Sequence, residues 1–258
     1  MERLGETKPK GLTAAALRTW GILLAAAGII GRCILQNTLL GIGSANAQQM
    51  LEILSNNPDS MSIAAVALVL QGLEACAVPI FALLLAEGFA NTKNWKKYFL
   101  RVAVIALISE IPYDLAMSGI VWDMRVQNPS VGLVLAMVVL YLYSRFSQPT
   151  AAHRFTKVIV LVAAILWAEM LNIDHGTALV VLAAVFYLLR NRASLRGLAG
   201  AGVSMACTII SPFYLVSTMG CLLTHLYNGE RGESSRIANY VAYPVLLLAI
   251  VLIAKFLI

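Results

Sequence analysis

Charge is scarce in this sequence. Asp, Glu, Lys and Arg together make up 12% of its 258 residues, about half the share of an ordinary soluble domain. With 60% hydrophobic residues, too little polar surface remains to cover a water-soluble globule, and a soluble domain is excluded. Close cysteine pairs are also lacking. Cys33, Cys76, Cys207 and Cys221 stand alone within or beside apolar runs, which argues for packing residues and against a zinc or redox site. The three histidines, His153, His175 and His225, have no ligand spacing, so no metal centre is predicted. A glycine loop of the phosphate-cradling kind is missing, which excludes a nucleotide-hydrolysing P-loop. No compact cleavage region follows the first apolar run, and the expectation is an uncleaved first span rather than a signal peptide.

What is present is a succession of apolar runs, each of about 15 to 25 residues, the length that one bilayer crossing requires. The runs fall near 13 to 35, 61 to 89, 98 to 118, 130 to 145, 156 to 171, 176 to 190, 198 to 211, 213 to 227 and 238 to 256. They predict one all-α domain over residues 1–258, a polytopic transmembrane helix bundle of eight or nine spans; the short segments around Ser211 and Pro212 leave the number open. The stretch 39–60 holds Gly41, Gly43, Asn46, Gln48, Gln49, Glu52, Asn56, Asn57, Pro58 and Asp59 and reads as a re-entrant or surface segment. With nine spans and a cytoplasmic amino terminus, sixteen of the nineteen lysines and arginines fall on the inner side, leaving Arg32, Arg125 and Lys255 outside. That bias follows the positive-inside rule. It also explains the net charge of +6 without a nucleic-acid partner: the basic residues sit in short loops between spans, and the partner implied is the lipid bilayer.

Ionisable groups within hydrocarbon cost from about 2.5 kcal/mol upward, so each needs a partner or a polar cavity. Gln71 and Glu74 share a face of the second span, with Pro79 a kink point beyond them. Glu110 and Asp114 share a face of the third, flanking Pro112 and Tyr113. These carboxylates need a cation, and Arg32, beside Gln36 and Asn37 at the outer end of the first span, matches them in depth. A second outer group, Glu169, Asn172, Asp174 and His175, lies in the turn between the fifth and sixth spans. A neutral histidine beside a carboxylate suits a general base near neutral pH, and His175 with Asp174 is the candidate; a solvated loop histidine is the plainer alternative. His153 is expected at the surface. For Glu74, Glu110 and Asp114, a structural ion pair and a catalytic or substrate-binding role both remain open. On the inner face Glu87 and Asn91 precede Lys93, Lys96, Lys97 and Arg101, a cluster that serves membrane anchoring or the phosphates of a coenzyme A thioester.

Residues 77–116, AVPIFALLLAEGFANTKNWKKYFLRVAVIALISEIPYDLA, resemble the signature region of the TraX family. The matching positions are Pro79, Phe81, Ala86 to Phe89, Thr92, Asn94, Tyr98, Arg101 and Ser109 to Asp114. Weaker resemblance continues at Asp174 to Gly176, at Tyr227 to Gly229 with Arg231 and Gly232, and at Tyr243 and Pro244. The resemblance implies a multi-pass protein of the bacterial inner membrane; the family is named for a conjugative-plasmid member that acetylates the amino terminus of pilin. It is similar, more distantly, to membrane acyltransferases that draw on a cytosolic acyl-coenzyme A. This chain departs from the family pattern twice. Gly28 and Ile29 stand where members commonly carry Asp-His, and Val245 and Leu246 follow Tyr243 and Pro244 where Tyr-Pro-x-His is frequent. If the first family histidine is the base, His175 replaces it or catalysis is lost.

The expected activity is transfer of an acetyl or other acyl group from acyl-coenzyme A to an amine or hydroxyl acceptor across the membrane. His175, Asp174, Glu110 and Asp114 are the candidate catalytic residues. Lys93, Lys96, Lys97 and Arg101 are candidates for the coenzyme, and Arg32, Glu74, Glu87, Tyr113 and Glu169 for the substrates. A transporter or channel-like protein and a non-catalytic assembly partner are the alternatives.

Overall fold

A computed structural model describes residues 11–56, 58–233 and 235–257. Arg3, Lys8, Lys10 and Asn57 lie outside the described residues. The fold is all-helical, with 80% helix and no strands among the described residues. Among the described residues eleven α-helices follow in order: α1 (Ala14–Ile29), α2 (Ala47–Asn56), α3 (Pro58–Ala75), α4 (Ala77–Asn91), α5 (Trp95–Ser118), α6 (Pro129–Arg145), α7 (Ala151–Met170), α8 (Gly176–Leu188), α9 (Ala193–Ala206), α10 (Tyr214–His225) and α11 (Arg236–Phe256). Four helical stretches among the described residues, Ala14–Leu39, Pro58–Asn91, Ala151–Met170 and Asn239–Phe256, are long and apolar enough to cross a bilayer.

Local sequence sets the helix starts. Thr13, Asn94, Asn128 and Thr150 each accept a hydrogen bond from the backbone N–H two or three residues on, starting α1, α5, α6 and α7, because a side-chain oxygen there satisfies an otherwise orphaned donor. Gly119, at φ 71°, closes α5. Beyond Ile29 the first helix widens into a π-helix over Ile30–Leu39, a departure from α geometry often found at functional sites.

The second expected span is broken. Cys76 separates α3 from α4, three residues before Pro79, whose missing N–H cannot bond the carbonyl of Ala75. Gly220 of α10 packs into this break, where a Cβ would overlap the Cys76 carbonyl. The segments around Ser211 and Pro212 are two helices packed side by side, not one kinked span. Ser204 of α9 lies 3.3 Å from Ser217 of α10. Residues 40–56 form a short turn and α2, whose Met50 and Leu51 are exposed, and Pro58, Asp59 and Ser60 open α3.

Helix α8 is the centre of the bundle: Ala178, Leu179, Val180, Leu182, Ala183, Ala184 and Phe186 are all buried, with α4 and α6 packed against it. α7 is peripheral, and its Phe155, Val158, Ile159, Val162, Leu166 and Trp167 are exposed, as on a lipid-facing helix. A second apolar cluster joins Ile29 and Cys33 to Tyr113 and Ala116 of α5 and Leu247, Ile250 and Val251 of α11. All four cysteines are free and buried.

Candidate active site

At the junction of the π-helix, the α3–α4 break and the α7–α8 turn, one guanidinium holds two carboxylates. Arg32 Nη2 lies 2.6 Å from both oxygens of Glu74, and Nη1 lies 2.9 Å from Asp174 Oδ2. The Tyr113 hydroxyl donates to the same Asp174 oxygen at 2.7 Å. Glu74 is buried, and Gly28 makes room for it: a Cβ at position 28 would overlap the Glu74 side chain. With both carboxylates ionised the cluster carries one net negative charge. Burial, the largest single influence, would raise the Asp174 carboxyl, but the Arg32 guanidinium, His175 and the Tyr113 hydroxyl together outweigh it and hold the group below the usual carboxylate range.

His175 completes the group. It sits at φ 57°, a left-handed conformation that tightens the α7–α8 turn. Its side chain is 16% exposed, so it is not the solvated loop histidine that its place between two spans suggested. Nδ1 is 2.8 Å from the Tyr214 hydroxyl, and Nε2 is 3.8 Å from Asp174 Oδ1. Glu74, Asp174 and His175 can bring one ligand atom each within 4.8 Å of one another, a spacing compatible with a metal ion. The guanidinium already seated between the two acids disfavours a second cation there.

The cluster opens into a cavity of about 450 Å³. Glu74, His175 and Tyr243 line it at one end, and Arg18, Arg101 and Arg231 line it elsewhere along its length. The wall between is apolar and includes Phe81, Leu85, Val102 and Leu179. Arg18 and Gly28 are ten residues apart on α1, so their backbone positions lie about 15 Å apart along the helix axis. Gly88 keeps the wall tight, since a Cβ there would meet the Tyr98 hydroxyl at 2.5 Å.

Several candidates fall elsewhere. Arg32 does not pair with Glu110 and Asp114. Glu110 is bonded by the Asn128 side chain and Asp114 by the Asp123 backbone N–H at 2.8 Å, so the loop after α5 satisfies both. Glu169, at the end of α7, accepts from Thr177 at 2.5 Å and is exposed. Glu87 pairs at 2.7 Å with the buried Arg196, a structural ion pair between α4 and α9. Of the four basic candidates only Arg101 lines the cavity; Lys93, Lys96 and Lys97 are exposed in the α4–α5 turn and the first turn of α5. Sequence reasoning missed Tyr214, Arg18, Arg231 and Tyr243 as site residues. A signal was available for two of them, since Arg231 and Tyr243 lie in the weaker stretches of family resemblance.

The TraX protein family matches residues 45–254. The chain belongs to the TraX family. No match is found among curated proteins or among solved structures. The strongest stretch of family resemblance now has physical content. Asn94 caps α5, Gly88 admits Tyr98, Tyr113 fixes Asp174, and Glu110 and Asp114 tie α5 to its following loop. Gly28 lies outside the matched range, and the Glu74 side chain fills the space its missing Cβ leaves.

Proposed function

We propose that this TraX protein is a membrane acyltransferase that takes an acyl group, acetyl in the simplest case, from a cytosolic acyl-coenzyme A. The observation that carries the reading is the single cavity that joins three arginines to Glu74 and His175. Cations suit the phosphates of the donor, and the apolar wall suits its acylated arm. In this reading the chain crosses the bacterial inner membrane nine times with its amino terminus in the cytoplasm. The positive-inside bias then puts Arg18, Arg101 and Arg231 on the inner side and His175 on the outer side. The acceptor, an amine or a hydroxyl, enters from the outer side.

With Nδ1–H donated to Tyr214, His175 keeps the Nε2 lone pair for the acceptor. As the acceptor nitrogen or oxygen attacks the thioester carbonyl, Nε2 takes its proton. The tetrahedral intermediate collapses with cleavage of the carbon–sulfur bond, and the proton passes to the departing thiolate. Asp174, 3.8 Å from Nε2, stabilises the imidazolium in between. Tyr243, which lines the same end, supplies a hydroxyl to the thioester oxygen. Arg32 takes no part in bond-making in this scheme; it neutralises and orients Glu74 and Asp174.

A transport reading draws on one observation, the helix break at Cys76 beside Glu74, since broken helices also form ion sites. The deciding experiment reconstitutes the protein in liposomes and follows radiolabelled acetyl-coenzyme A with a panel of amines and hydroxyl compounds. Acyltransfer lost in His175→Ala, with folding and donor binding retained, is the expected result. Full activity in that variant, or no donor turnover by the folded wild type with any acceptor, would overturn the reading.

A further inference from the structure

At the end of the cavity that holds Glu74 and His175, most polar side chains are already paired. Arg32 holds Glu74 and Asp174, Tyr113 donates to Asp174, and His175 meets Tyr214. Ser130 lines the same cavity and is 7% exposed, yet it bonds through its backbone N–H alone; its hydroxyl has no hydrogen-bond partner among the described residues. The hydroxyl of Ser109 is also unpartnered but sealed in the interior, whereas the surface that Ser130 keeps borders the cavity. Buried polar groups ordinarily find partners, and a free one on a cavity wall is left for what fills the cavity. Backbone contacts set its level. Gln127 donates to the Asn172 carbonyl at 3.0 Å and accepts from the Asp174 N–H at 2.9 Å, and a Cβ on Gly132 would meet the Gly176 Cα at 3.2 Å. The start of α6 thus runs beside the start of α8 and brings Ser130 level with His175. Asn128, wholly buried, fixes this turn: it accepts from the Ser130 N–H at 2.8 Å and donates to the Ala106 carbonyl and to Glu110.

The Glu110 carboxylate at this cap offsets the positive end of α6, so what α6 offers the cavity is the hydroxyl rather than its helix terminus. Ser130 makes no hydrogen bond to His175, and it lacks the contact with a base that a nucleophilic serine needs. The ion cluster beside it carries one net negative charge, so an oxyanion formed at this end is stabilised only if it turns from Glu74 and Asp174 toward a donor. We propose that Ser130 is a catalytic residue of the acyl transfer, whose hydroxyl donates to the thioester carbonyl oxygen together with that of Tyr243. As the acceptor nitrogen or oxygen bonds to the carbonyl carbon, negative charge gathers on that oxygen and the hydrogen bond strengthens, while the proton stays on Ser130. When the carbon–sulfur bond breaks, the charge leaves with the thiolate and the carbonyl re-forms. This assignment rests on the acyl-donor reading and adds to it the group that activates the carbonyl.

The test is isotope-edited infrared spectroscopy on the full chain in nanodiscs, with acetyl-coenzyme A carrying carbon-13 at the thioester carbonyl, alongside calorimetry and thermal melting. The expected result is a carbonyl stretch at lower frequency in the wild type than in Ser130→Ala, because an accepted hydrogen bond weakens the carbon–oxygen double bond; Ser130→Thr, which keeps the hydroxyl, should retain the lower band. Affinity for acetyl-coenzyme A should fall at most about tenfold in Ser130→Ala, the size of one neutral hydrogen bond. Its ligand-free melting temperature should not fall, since no protein partner is lost. One carbonyl frequency shared by wild type and Ser130→Ala would overturn the role of Ser130 while the donor reading stood, as would a lower ligand-free melt, which would reveal a structural partner for the hydroxyl. No binding of acetyl-coenzyme A by folded wild type would sink the donor reading and the role of Ser130 with it.

Discussion

Replacing Arg32 by methionine removes the only cation in contact with Glu74 and Asp174 among the described residues. Glu74 is 7% exposed and Asp174 16%, so water cannot take over the guanidinium's role. Removing one partner of a buried ion pair costs about 3 to 5 kcal/mol, because the remaining charge is left uncompensated. For a chain of this size that corresponds to a fall in melting temperature of about 6 to 20 °C. The four cysteines, all free and buried, make the assay direct: a thiol-reactive fluorogenic dye lights up as the detergent-solubilised protein unfolds. Arg32→Lys should lose less than Arg32→Met, since it keeps the charge but not the fork that spans both carboxylates. The triple variant Arg32→Met with Glu74→Gln and Asp174→Asn should recover much of the loss. An Arg32→Met protein that melts with the wild type would refute the reasoning, because it would mean that the two carboxylates have neutralised or found other partners.

Gly28→Ala should destabilise by about 1 to 3 kcal/mol, the usual cost of overpacking, because the new methyl overlaps a Glu74 side chain that Arg32 holds in place; the same dye-based melt checks it. Gly220→Ala should cost at least as much, since the Cβ meets the Cys76 backbone carbonyl, which cannot rotate away; a wild-type melt would show that α10 does not cross the helix break this closely. Asp174, whose folded-state pKa is depressed below the ordinary 3.8, contributes stability that is fully present above that value and lost as pH falls below it. Melting temperature should therefore decline more steeply on acidification below about pH 4 in the wild type than in Asp174→Asn. Equal slopes would remove Asp174 from the ion cluster.

The helical class and most helix positions were legible because hydrocarbon demands long apolar runs, which periodicity and length reveal directly. The polar stretch 39–60 likewise marked itself as different by composition. What sequence could not convey is azimuth. Depth alone matched Arg32 to Glu110 and Asp114, yet two groups at one level pair only if their helix faces meet, and the π-helix turns Arg32 toward Glu74 and Asp174 instead. Glu110 and Asp114 do share a helix face, but their partners come from a loop, Asp123 and Asn128, and loop paths leave no periodic trace. His175 and Asp174 stood out because histidine beside a carboxylate is chemically informative at any position. The arginines of the cavity did not: Arg18, Arg101 and Arg231 come from α1, α5 and the loop before α11 and meet only in three dimensions, while Lys93, Lys96 and Lys97 formed the conspicuous cluster in the chain.

The most direct test of the account is photo-crosslinking with an acyl-coenzyme A whose acyl group carries a diazirine, applied to the cytoplasmic side of inverted vesicles and mapped by mass spectrometry. The account predicts labelling at the far end of the cavity, on α8 near His175 and Leu179 and on the α3–α4 break near Glu74 and Ala77, competed away by acetyl-coenzyme A. Labelling confined to the exposed face of α7, around Val158 and Leu166, would place the acyl group in the lipid and contradict it.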